Sequence, residues 1–104
     1  MPNFIFAYHG GKRPESDDEY QRIMAEWGAF YEKMGKHVKD GGGPAGSSKT
    51  VKPGGVEGNG GANPISGFTL VEADNLDAAV KMAKDCPMVK DGSGSVEVAE
   101  IMQM

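Results

Sequence analysis

The chain has 104 residues, 15 of them acidic and 11 basic, for a net charge of −4. That length fits a single domain spanning residues 1–104. The acidic balance argues against nucleic acid as a partner, since phosphate contacts dominate that affinity, and no apolar run approaches the ~20 residues a membrane span needs.

Asn3 to His9 reads as the first strand. Phe4, Phe6 and Tyr8 point one way and Ile5, Ala7 and His9 the other. Both sets are largely apolar, as in a strand covered on both sides. Gly10 and Gly11 end it. Pro14 and a capping box, Ser16 with Glu19 three residues on, open a helix from Asp17 to His37. Tyr20, Met24, Trp27, Tyr31, Met34 and Val38 form its apolar stripe. Asp17, Asp18 and Glu19 crowd its first turn and Lys33, Lys36 and His37 its last, matching the helix dipole at both ends.

Nine of the 16 glycines fall between positions 41 and 61. The one strand-like piece there, Ser47 to Val51, is expected to be a short edge strand, with a long loop from Lys52 to Pro64 after it. Gly67 to Pro87 then encodes a strand (Phe68, Leu70, Val71), a helix capped by Asp74 with Leu76, Ala79, Val80 and Ala83 on one face, and a stop at Pro87. Met88 to Gly94 reads as a turn, and Ser95 to Met102 as the last strand.

The order β-α-β-β-α-β predicts an α+β, ferredoxin-like domain: a four-stranded antiparallel sheet with two helices on one face and strands in the order fourth, first, third, second. Two helices cover one sheet face only. The apolar residues on the other predict a homodimer through the sheet.

FIFAYHGG, the Trp27 helix, DGGGPAGSSKTV, GANPISGFTLVEADNLDAAVKMAKDCP and GSVEVAEIM, in this order, resemble the YCII-related family over nearly the whole chain. The resemblance implies a dimeric α/β barrel in which two ferredoxin-like sheets pack face to face. A His–Asp active site has been suggested for part of that family, with the His near the start of the first helix; here His9 ends the first strand instead. The DGPF motif of another branch is replaced by Gly60-Gly-Ala-Asn63.

Several motifs point to chemistry the chain does not support. Gly43 to Thr50 nearly spells a P-loop, but Ser48 stands where a glycine must let the backbone wrap a phosphate, and no helix follows. Ser66 to Ala73 nearly spells an RNA-stacking strand, but Leu70 and Ala73 replace aromatics and Ser66 a basic residue, so Phe68 is expected in the core. Cys86, at a helix C-terminus, suits a packed thiol, and as the only cysteine it forms no internal disulfide. With an N-terminus that lacks a signal peptide's basic region, this suggests a cytoplasmic protein. Trp27 and the helical methionines read as core or interface. Neither a metal-ligand spacing nor a cofactor motif is present, so no metal and no cofactor are expected.

His9 remains as the candidate catalytic residue, a proton acceptor or hydrogen-bond donor where a strand opens into Gly-Gly. Topology brings Lys49 and Asn63 to the same sheet end, beside Arg13 and Ser16 at the start of the first helix. The expectation is a small-molecule-binding protein or small enzyme with an anionic ligand held by these groups. A non-catalytic dimeric interaction module is the alternative.

Overall fold

In the computed structural model, which describes residues 1–103, β1 (Asn3–Gly10) runs through the middle of the sheet. Phe4, Phe6 and Tyr8 are buried on its helix-facing side. Helix α1 (Asp17–Met34) begins as its capping box requires, with Ser16 Oγ accepting from Glu19 N at 3.1 Å. It ends at Gly35 rather than His37. Gly35 takes φ 57°, a conformation glycine adopts without a Cβ penalty, and a single tight turn carries the chain to His37. His37 Nδ1 lies 3.0 Å from Glu72 O, so this histidine fastens the helix exit to the sheet.

The second strand corrects the expected Ser47–Val51. It is β2 (Val38–Pro44), built from the glycine run, which pairs antiparallel with β5 (Ile65–Glu72). β3 (Thr50–Lys52) and β4 (Gly55–Glu57) pair only with each other, as a hairpin inside the segment expected to be a loop. Glycines disfavour strands, yet β2 is an edge that needs backbone pairing more than side chains. Its register shifts between Asp40 and Gly43 at Gly42, with φ 65° and its N–H bonded to Asp40 Oδ1 at 2.8 Å. A Cβ on Gly42 would fall 2.0 Å from the Phe68 carbonyl oxygen.

Helix α2 (Leu76–Ala83) is capped by Asn75, not Asp74: its Oδ1 accepts from Ala78 N at 2.8 Å. Asn75 stands immediately before the first helical residue, where the side-chain oxygen reaches the third amide of the helix. Pro87 does stop α2, but it also opens a short helix α3 (Pro87–Asp91) where a turn was expected; proline suits a first helical position because its missing N–H would be unpaired anyway. β6 (Gly94–Glu100) completes the sheet, ending two residues before Met102.

The sheet order is β2-β5-β1-β6, the expected ferredoxin-like order, with antiparallel pairs throughout. The core lies between the sheet and the helices: Phe4, Phe6, Thr69 and Val71 meet Phe30, Met34, Ala79, Ala83 and Cys86. Register places Ile5, Ala7, Leu70 and Ala99 together on the other face, with Phe68, Ile65 and Ile101 around them, 36%, 40% and 42% exposed. Phe68 therefore belongs to the open face and not to the core.

Candidate functional site

The helix-facing side of β1 opens into a cleft where α1 leaves the sheet. Gly10 and Gly11, at φ 85° and 110°, turn the chain sharply after Tyr8 and His9. A Cβ on Gly10 would lie 2.9 Å from Ser93 O, so the turn sits hard against the start of β6. Beyond it Lys12 and Arg13 form one rim. Met24, Trp27 and Tyr31 of α1 form a wall, Gly43, Pro44 and Ala45 the opposite one, and Tyr8, Gly67 and Met88 lie between. The cavity is about 550 Å³, within the ~300–1,000 Å³ of ordinary small-molecule sites.

Aromatic packing sets its interior. Trp27 meets Tyr8 edge-on with ring centroids 5.1 Å apart, and lies 6.2 Å from Tyr31. Behind the rings runs a chain of hydroxyls. Tyr8 donates to Thr69 Oγ1 at 2.8 Å, Tyr31 and Thr69 share a bond of 2.9 Å, and Tyr31 donates to the Gly41 carbonyl at 3.1 Å. Burial pushes the Tyr8 phenol well above the usual range, outweighing the opposing hydrogen bond to Thr69. The phenol therefore stays neutral, as a donor.

The electrostatics are one-sided. In an acidic chain the cleft is lined by two cations and no carboxylate. Lys12 is committed: its Nζ lies 3.2 Å from Glu19 Oε1. That oxygen is closed off from solvent without a hydrogen bond, so the ammonium is its charge partner. Among the described residues Arg13 has no carboxylate within ion-pair distance.

The family model of the YCII-related domain matches residues 4–104, nearly the whole chain. The chain belongs to the YCII-related family. No curated protein matches it. Among solved structures, it is similar to the 5-chloro-2-hydroxyhydroquinone dehydrochlorinase TftG of Burkholderia phenoliruptrix, in complex with 2,5-dihydroxybenzoquinone. The TM-score is 0.59 at 19% identity, covering 100% of this chain and 96% of that one. At that identity the likeness shows a shared fold.

The five residues singled out from the sequence of this YCII-related chain do not form one cluster. Alternation along β1 sends Tyr8 toward the cleft and His9 to the open face. There His9 Nδ1 lies 3.0 Å from Asn63 O and 3.3 Å from Pro64 O, while Nε2 lies 3.2 Å from Glu97 Oε1. All three are acceptor oxygens of the protein itself, so both ring nitrogens are directed at neighbouring segments. Asn63 does meet His9, through its backbone carbonyl. Ser16 is occupied as the cap of α1. Lys49 is exposed beside the β3–β4 hairpin. Arg13 alone of the five lines the cleft.

Tyr8, Trp27 and Tyr31, which line the cleft, read from the sequence only as apolar faces of β1 and α1. Tyr8 precedes His9 by one position and ends the Phe4–Phe6–Tyr8 row, directly at the Gly-Gly opening. The signal was there: the last aromatic of a buried row, at a glycine turn, opposite an aromatic helix stripe.

Among the described residues no three His, Cys, Asp or Glu side chains are grouped to hold a metal, and no helix is long and apolar enough to cross a membrane. A second groove of about 320 Å³ lies between α1 and α2, over Phe30, Met34 and Met82; Lys33 on its rim pairs with Asp85 at 2.9 Å.

Proposed function

We propose that the protein binds a small organic molecule in the cleft between α1 and the sheet. The observation that carries this is the cleft's composition: aromatic walls, a glycine-lined entrance and two cations unopposed by any lining carboxylate. The likeness to TftG, whose structure holds 2,5-dihydroxybenzoquinone, supports a ligand-binding reading of the fold. In this reading Arg13 contacts the ligand. His9 acts from behind, holding the segment at Asn63 and Pro64 against β1 and β6.

The functional unit in this reading is a homodimer formed through the open sheet face, whose apolar centre at Ile5, Ala7, Leu70 and Ala99 has no cover among the described residues. A cleft of this composition beside that face favours, in this reading, a binding protein or enzyme over a purely structural module.

Native mass spectrometry of protein taken directly from cell extract tests the proposal. A retained small molecule that is lost in Trp27→Ala supports it. A ligand retained equally by Trp27→Ala would move the site elsewhere.

A further inference from the structure

We infer that the ligand is a planar aromatic anion whose charged group is anchored by Arg13, an inference that rests on the cleft being the binding site. Three features define this class. The walls are flat rings: Trp27 and Tyr31 from α1 and Tyr8 from β1, with Trp27 within 6.2 Å of both others. Such surfaces favour a planar ring over a flexible chain, through offset or edge-on packing.

The charge is the second feature. The chain carries 15 acids, and none of them lines the cleft, while Lys12 and Arg13 both do. Lys12 is already balanced by Glu19 at 3.2 Å. That leaves the Arg13 guanidinium as the unbalanced charge at the entrance. Its planar fork matches a carboxylate, or two adjacent ionised oxygens on a ring, through two parallel hydrogen bonds. The exposed Asp17 and Asp18 of the first turn of α1 oppose an anion placed directly on the helix end, so the anchor is the side chain of Arg13 and not the helix terminus.

The third feature is the polar end of the interior. The hydroxyls of Tyr8, Thr69 and Tyr31 bond to one another and finish on the Gly41 carbonyl. Every proton of that chain already has an acceptor. The interior therefore asks no further charge of the ligand, and the charged group belongs at the entrance.

The test is a matched set of substituted benzoates and the corresponding neutral benzamides, para-hydroxybenzoate and para-hydroxybenzamide among them, titrated against the emission of Trp27, the only tryptophan. Benzoates should bind at least about tenfold more tightly than their amides, the scale of one charge-assisted hydrogen bond. Arg13→Gln should abolish that preference by weakening benzoates alone. Arg13→Lys should restore part of it, as a point charge without the fork. Lys81→Gln, in the second groove, should change nothing. If amides and benzoates bind equally and Arg13→Gln alters neither, the inference about the anion fails while the cleft stands as the site. If no member of the set binds, both the inference and the assignment of the cleft fail for aromatic ligands.

Discussion

Replacing Thr69 by valine keeps the shape of a fully buried side chain and removes a single oxygen. The hydrogen bonds predict which neighbours suffer. Tyr8 is 4% exposed, and its hydroxyl donates to Thr69 Oγ1 at 2.8 Å. Tyr31 keeps the Gly41 carbonyl. The substitution therefore strands one buried donor, the Tyr8 phenol. A stranded buried donor costs ~1–3 kcal/mol. At roughly 4–8 °C per kcal/mol for a domain of this size, Tm should fall by about 4–24 °C. Tyr8→Phe strands nothing, because Thr69 still has Tyr31 and Gly41, and should cost only ~0.5–1.5 kcal/mol. The double variant should cost clearly less than the sum of the two, since removing the phenol removes the stranded group. Urea unfolding followed by circular dichroism on all four proteins closes the cycle. Strict additivity, or a Thr69→Val variant as stable as the parent, would refute the hydroxyl chain.

Further predictions concern the frame around the cleft. Gly42→Ala forces an alanine to φ 65° and toward the Phe68 carbonyl, so it should destabilise by ~1–3 kcal/mol from backbone strain alone; Gly41→Ala, with open space around its Cβ, should stay within ~0.5 kcal/mol of the parent in the same melts. The Asp85 carboxyl is held below the usual carboxylate range by its hydrogen bond to Lys33, and Asp91 by those to Ser93. The unfolded chain then binds more protons than the native one in the acid window below about pH 4, so these two groups lend stability at neutral pH that is lost as pH falls through their native values. Lys33→Met should return the Asp85 signal toward the ordinary range in an NMR titration, and an unmoved signal would contradict the pairing. Burial raises the Cys86 thiol, so a disulfide reagent should label it at the rate of unfolding; fast labelling of native protein would place it at the surface. Sedimentation at micromolar concentration should give a dimer, and a monomer would leave the apolar sheet face without an explanation.

The fold was legible where side chains carry the signal. The Phe4–Phe6–Tyr8 row, the Ser16–Glu19 cap and the stripe of α1 each reflect burial or a capping bond that residue type alone decides. β2 was not legible. Val38–Pro44 holds three glycines and an edge strand needs only its backbone, so neither periodicity nor propensity marks it; the better strand formers at Thr50 and Val51 went instead to a hairpin that pairs with itself. With the strand starting nine residues earlier, at Val38, Lys49 lies outside it, in the segment before β3. The division of the residues singled out from the sequence between two faces has a different cause. His9 has the more reactive side chain, but alternation puts it on the opposite face from its neighbour Tyr8, and a one-residue register shift between Tyr8 and His9 brings the Asn63 and Pro64 carbonyls under its ring. Reactivity chose the residue, and position in the strand chose the face.

The seven methionines of the chain offer the most direct test of where a ligand sits. Met24 and Met88 line the cleft, Met34 and Met82 line the groove between α1 and α2, and Met1 and Met102 are exposed away from both. With methyl-labelled methionine, saturating para-hydroxybenzoate should shift the Met24 and Met88 signals and leave Met34 and Met82 in place. Shifts confined to Met34 and Met82, or no shift at Met24 and Met88 on saturation, would contradict the assignment of the cleft.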